Sequence, residues 1–206
     1  LDKSNIQSKF IRGLRVTDEK IIDIVESVLI DFNNDIVESL KKFGTDAVSI
    51  HTKKNNIIKV TPETKELGFV GIPNKIDNNL IEKILNKKQV PIISPLGLGN
   101  DNHPYNINGD TAAGAIAKSL KSRRLLLMTN VEGVLDKDKK LIDEISSLEI
   151  LKMIEDNTIT EGMIPKINTC LDAVNNGVTA VGIIDGRKQH SILFEIFSDK
   201  GSGTLI

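Results

Sequence analysis

Apolar positions change their period several times along the chain, and the changes divide it into elements. Ile21, Ile24, Val25, Val28, Leu29 and Phe32 recur at three- and four-residue intervals, the spacing of one apolar helical face. Thr17 precedes this run as a predicted N-cap, and Asp18 and Glu19 fall in the first turn, where the helix dipole favours acids. A second helix is predicted over 35–43, with Ile36, Leu40 and Phe43 inward and Gly44 as a left-handed terminator. Residues 47–50 and 56–60 read as short strands around the polar turn 51–55. A further strand runs over 67–72, and Pro73 ends it.

From there helices and strands alternate. Helices are predicted over 78–86, 111–120, 147–155, 163–175 (closed by Gly177) and 190–197, and aliphatic strands over 90–94, 124–129 and 179–184. Short aliphatic strands between helices imply an α/β fold with a largely parallel sheet covered on both faces. Ligands of such sheets bind beyond the carboxyl ends of strands. Three polar segments are expected there: Pro95-Leu96-Gly97-Leu98-Gly99, Asn130-Val131-Glu132-Gly133-Val134 and Asp185-Gly186-Arg187.

Between them lies the stretch Asn106-Ile107-Asn108-Gly109-Asp110. In an extended backbone its two amides and its carboxylate would share one face. That pattern fits a polar site at a strand-to-helix junction, and it equally fits a turn in which Asp110 caps the following helix.

Composition narrows the function. Lysine and arginine total 27 against 28 acids, which leaves no basic footprint for nucleic acid. With no tryptophan and one tyrosine there is little to stack bases on. No apolar run approaches the ~20 residues that a membrane helix needs. The single cysteine, Cys170, rules out an internal disulfide framework and lies on the apolar stripe of Ile167, Leu171 and Val174. At 206 residues and 39% hydrophobic content, one domain or one domain of two lobes is expected. The chain starts at Leu1 rather than Met, and its first fifteen residues read as a continuation, so a shortened chain is expected.

Neither a Walker loop, a dinucleotide fingerprint, a nucleophile elbow nor a zinc motif is present, and the three histidines are scattered, so no metal site is expected. Charge-handling side chains remain. Lys166, in Gly162-Met163-Ile164-Pro165-Lys166, opens a helix, a position the dipole disfavours for a cation. It is either a solvated lysine or one aimed, with the helix N-terminus, at an anion such as phosphate. Arg15 just precedes a helix and suits a carboxylate, or a surface ion pair.

Arg12-Gly13-Leu14-Arg15-Val16-Thr17-Asp18, Tyr105-Asn106-Ile107-Asn108-Gly109-Asp110, Val131-Glu132-Gly133-Val134-Leu135-Asp136, Gly162-Met163-Ile164-Pro165-Lys166 and Gly201-Ser202-Gly203-Thr204 occur in order and at suitable spacing. In them the chain resembles the acetylglutamate kinases, a branch of the amino acid kinase family, from about residue 10 to its end. The resemblance implies an αβα sandwich of the amino acid kinase type with a mainly parallel central sheet, N-terminally truncated. Residues up to about 95 would be the rest of the substrate lobe, and 96–206 the nucleotide lobe.

The activity so implied is transfer of the γ-phosphoryl of ATP, with Mg2+ carried by the nucleotide, to the side-chain carboxylate of N-acetyl-L-glutamate in cytoplasmic arginine biosynthesis. Arg15 and Asn106 would hold the substrate's α-carboxylate, with Asn108 lining the same pocket. Lys166 would neutralise the transferring phosphoryl and Asp110 would orient the catalytic lysines. The nucleotide would be bordered by Asn130, Val131, Glu132, Gly133, Val134, Leu135, Thr158, Ile159 and Thr160. In arginine-inhibited members, residues matching His190, Glu195 and Gly201 form an effector pocket, and a homo-oligomer is expected.

The chain departs from the family at several places, of which Gly109 for a usual alanine is minor. Asn130 stands where an aspartate is usual, and His51-Thr52-Lys53-Lys54 replaces a glycine-rich hairpin. The family's glycine-rich phosphate loops and first catalytic lysine would lie upstream, so the 206-residue chain by itself is expected to be catalytically silent. The competing expectation is a non-catalytic remnant that binds arginine or a nucleotide.

Overall fold

The computed structural model describes residues 9–11, 13–159, 163–198 and 201–206. Arg12, Thr160 and Gly162, which the sequence reading uses, lie outside the described residues, as do the first eight. The chain divides into two compact units, Leu1–Ala112 and Ala113–Ile206.

The first unit opens with the hairpin β1 (Phe10–Ile11) and β2 (Leu14–Arg15), followed by α1 (Glu19–Lys42), one helix of 24 residues where two were expected. Its cap is Asp18, whose carboxylate accepts from the Lys20 and Ile21 amides at 3.0 and 2.9 Å. Thr17, the expected cap, is instead fully buried in an isolated bridge to Gly68. The helix runs through the polar stretch at Asn33 because that side chain has long-range partners. Its amide donates to the Ile92 carbonyl at 2.8 Å and accepts from the Ser49 hydroxyl at 2.6 Å. The face that packs is Ile21, Ile22, Glu26, Asn33 and Val37. The expected apolar face turns partly outward: Val28 is 58% exposed, Phe32 61% and Phe43 87%.

β3 (Ala47–Ile50) pairs in parallel with β6 (Val90–Ile93). The four-stranded sheet has the order β5-β4-β7-β8, with β4 at Ile58–Pro62, β5 at Gly71–Ile76, β7 at Leu96–Leu98 and β8 at Pro104–Asn106. Pro73 lies inside β5 rather than ending a strand, which an edge strand allows because it needs no ladder donor on its open side. Leu67 belongs to a short 3-10 turn, Lys65–Leu67, not to a strand. The segment expected as the loop 95–99 is β7 itself. α2 (Asn78–Asn86) starts on an Asp77 cap that bonds the Leu80 amide.

α3 (Gly109–Ser119) spans the division between the units. The second unit pairs β9 (Arg124–Thr129) in parallel with β10 (Ala180–Asp185) and adds an antiparallel β11 (Gly203–Leu205), which periodicity did not predict. Its core gathers Leu125, Leu127, Ile150, Ile167, Cys170 and Ile183, with Cys170 buried as expected. α4 (Ser147–Glu155) begins with a reciprocal capping box between Ser146 and Glu149. α5 (Ile164–Asn175) and α6 (Ser191–Phe197) follow within a residue of expectation. The pairings are thus mixed: parallel at β3–β6, β4–β7 and β9–β10, antiparallel elsewhere. Among the described residues no helix is long and apolar enough to cross a membrane.

Candidate functional site

Arg15 and Asn106 come together in the first unit. Both line a cavity of about 250 Å3 whose remaining wall is Ile24, Val25, Val28 and Leu29 of α1. The predicted apolar face of α1 therefore lines, in part, a cleft that carries one guanidinium and one amide. The Arg15 guanidinium lies over the Phe10 ring, 4.8 Å from its centroid. Asn106 ends β8, where its backbone amide donates to Phe69 at 2.9 Å and its side-chain nitrogen donates to the Thr17 hydroxyl at 3.4 Å.

The Asn-Asn-Asp stretch is not one extended comb. β8 stops at Asn106, and Asn108 caps α3: its side-chain oxygen accepts from the Asp110 and Thr111 amides at 3.0 and 3.2 Å. The cap is thus Asn108 rather than Asp110, and the helix starts at Gly109, earlier than expected. Asp110 sits half-buried in the first turn. Asn108 is exposed and is not part of the wall shared by Arg15 and Asn106.

In the second unit the loop 130–135 leaves the carboxyl end of β9, and Asp185-Gly186-Arg187 leaves the neighbouring end of β10, Asp185 being the register partner of Thr129. Two of the three expected loops therefore share one sheet edge; the third is β7 of the other unit. Lys188 reaches Glu132 at 3.2 Å, tying the two loops. Arg187 grips Asp185 through Nε and Nη2 at 2.9 and 2.8 Å, and that fork holds the Asp185 carboxyl at about 2. The Thr204 hydroxyl accepts from the Val134 amide at 2.8 Å and donates to the Ile142 carbonyl at 2.7 Å, which fixes the far end of the loop.

Thr158 donates its amide and hydroxyl to Asp156 at 3.1 and 2.5 Å, and Lys137 pairs with the same carboxylate at 2.8 Å. These bonds, with Lys137 the strongest, hold Asp156 at about 2 and link the turn after residue 135 to the segment of Thr158 and buried Ile159. Lys166 lies half-buried in the first turn of α5, two residues after its first residue, Ile164.

A second cavity, about 290 Å3, takes its polar lining from Asp143, Glu144, Glu195, Ser198 and Arg124, with Gly201 at its wall. Glu195 is only 7% exposed and accepts from the Ser202 amide at 2.8 Å. Glu195 and Gly201 both line this cavity, whereas His190 is exposed at the start of α6 and lies outside that lining. Sequence reasoning missed Asp143 and Glu144 here, Thr17 beside Arg15, and the role of Thr204. A buried hydroxyl between two segments leaves no periodic signal.

The amino acid kinase family pattern matches residues 1–185 of the chain. An acetylglutamate kinase of Pelagibacter ubique (strain HTCC1062) is 56% identical, over 98% of this chain and 70% of that one. The acetylglutamate kinase of Brucella abortus (strain S19) is 44% identical, over 100% of this chain and 74% of that enzyme. Among solved structures, smu.665 from Streptococcus mutans UA159 superposes with a TM-score of 0.82 at 32% identity, covering 89% of this chain and 76% of that one.

Proposed function

The chain belongs to the amino acid kinase family, and from that premise we propose that it phosphorylates the side-chain carboxylate of N-acetyl-L-glutamate with ATP in arginine biosynthesis. The observation that carries this reading is the cleft pairing Arg15 and Asn106 against an apolar wall. A fork of guanidinium donors and an amide suit the α-carboxylate. The wall of Ile24, Val25, Val28 and Leu29 suits the acetyl methyl and the side-chain methylenes. An acceptor carboxylate is already ionised at neutral pH, so its oxygen attacks the γ-phosphorus without a general base. The bond from the γ-phosphorus to the β–γ bridging oxygen breaks, ADP leaves with that oxygen, and an acyl phosphate forms.

Lys166, in the first turn of α5, neutralises charge on the transferring group. Asp110 orients the lysines. Asn108, whose oxygen is committed to the α3 cap, lies outside the wall of Arg15 and Asn106 and would reach the acceptor only through its amide nitrogen. Asn130 to Leu135, Thr158, Ile159 and Thr160 border the nucleotide, which brings Mg2+ with it. In the full-length protein, hydroxylamine should trap acyl phosphate made from ATP and N-acetyl-L-glutamate. Arg15→Lys should raise the acceptor Michaelis constant roughly tenfold, because a planar fork becomes a point charge, and should leave that of ATP near wild type. Binding with no hydroxamate would favour a non-catalytic remnant. A change for ATP alone would put Arg15 on the other ligand.

A second ligand follows from the acidic cavity: Glu195, Asp143 and Glu144 suit the guanidinium of arginine, as feedback on its own synthesis. Calorimetry should show arginine binding to the full-length protein that weakens about tenfold in Glu195→Gln, one charge-assisted contact being worth about 1.5–3 kcal/mol. Indistinguishable heats in the two proteins would remove this ligand.

A further inference from the structure

We propose that Thr17 is the positioning residue of the acceptor cleft, fixing both the backbone that carries Arg15 and the orientation of the Asn106 amide. The proposal rests on the acceptor reading of that cleft. Thr17 is fully buried, and its hydroxyl has two partners. It donates to the Arg15 carbonyl at 3.0 Å and accepts from the Asn106 side-chain nitrogen at 3.4 Å. A hydroxyl has one proton. With that proton committed to Arg15, only a lone pair faces Asn106, so the amide must turn its nitrogen towards Thr17. One of the two N–H donors is thereby used, and the orientation of the second follows from it.

The surroundings hold this hydroxyl in place. The Thr17 amide donates to the Leu67 carbonyl at 3.0 Å, its carbonyl accepts from the Phe69 amide at 2.7 Å, and the Phe69 carbonyl accepts the Asn106 amide at 2.9 Å. Three segments distant in sequence, the exit of β2, residues 67–69 and the end of β8, are therefore laced around one side chain. Gly68 permits the lacing: its φ is +67°, and a Cβ there would come within 2.4 Å of the Thr17 carbonyl oxygen. Valine in place of Thr17 would have nearly the same shape but neither bond. It would free the amide of Asn106 to turn its oxygen towards the carboxylate.

The test uses full-length protein and three readouts. Thr17→Val should raise the Michaelis constant for N-acetyl-L-glutamate about fivefold or more, with turnover and the ATP constant within about twofold of wild type. Thr17→Ser, which keeps the hydroxyl, should restore the acceptor constant. In an Asn106→Ala background Thr17→Val should add little, because both changes remove the same contact. Should the valine protein fail to fold, Thr17→Cys, with a weaker donor, is read in the same way. An unchanged acceptor constant in Thr17→Val beside a raised one in Arg15→Lys overturns the role of Thr17 alone. No change in either variant overturns the acceptor reading with it. Full additivity with Asn106→Ala reduces Thr17 to a structural residue and also overturns the proposal.

Discussion

Replacing Lys166 with alanine is expected to lower turnover by about 100-fold or more while weakening ATP binding only a few fold. The difference follows from where the charge is needed. Lys166 sits in the first turn of α5, after Met163 at the cap and Pro165, whose missing N–H costs nothing there. A cation in the first turn of a helix is disfavoured by the helix dipole, at a cost of a few tenths of a kcal/mol. An anion at that terminus reverses the sign. In the ground state much of the triphosphate charge would be met by the Mg2+ the nucleotide carries and by other donors. In the transition state charge spreads over the equatorial oxygens of the moving phosphoryl group, and a lysine placed for those oxygens acts mainly then. Pre-steady-state trapping of the acyl phosphate, beside equilibrium nucleotide binding, separates the two quantities. Equal losses in both, or no loss in either, would remove Lys166 from the chemistry.

The elements that sequence predicts best are those whose signals are local. α4 has the bounds that periodicity predicts, 147–155, and a capping box of Ser146 and Glu149, three positions apart, agrees with that start. β9 was legible because a continuous aliphatic run lies between polar flanks. Where a distant partner decides, periodicity misled. Asn33 looks like part of a break between helices, yet its bonds to Ile92 and Ser49 keep α1 continuous. The apolar stripe of α1 illustrates a second limit, since a core and a ligand cleft call for the same residues. Only the fold shows that Val28 faces the cavity of Arg15 and Asn106. Likewise the Asn-Asn-Asp spacing is shared by an extended comb and by a strand that ends two residues before a helix cap, and the backbone takes the second form.

Gly203→Ala is expected to destabilise the second unit by roughly 3 kcal/mol or more, lowering the melting temperature by about 6–12 °C for a chain of this size. A Cβ at Gly203 would lie 2.0 Å from the Ile183 carbonyl oxygen, 2.9 Å from its carbon and 3.0 Å from the Ile184 Cα. All three are backbone atoms of β10, so no rotamer change can relieve the overlap and β11 must move away from its partner. That displacement carries Thr204 with it, the register partner of Ile183. The Thr204 hydroxyl would then release the Val134 amide and the Ile142 carbonyl, both held at 2.8 Å or less. Val134 is 1% exposed, so the loop proposed to border the nucleotide would lose its anchor where it enters the core. Gly109→Ala is the control, because a Cβ there meets nothing within 4 Å and alanine suits the first turn of a helix better than glycine. Its melting temperature should stay within about 2 °C of wild type. A Gly203→Ala protein that melts with its Gly109→Ala counterpart, and binds ATP as tightly, would show that β11 can shift without loosening the loop and that Thr204 is not its anchor.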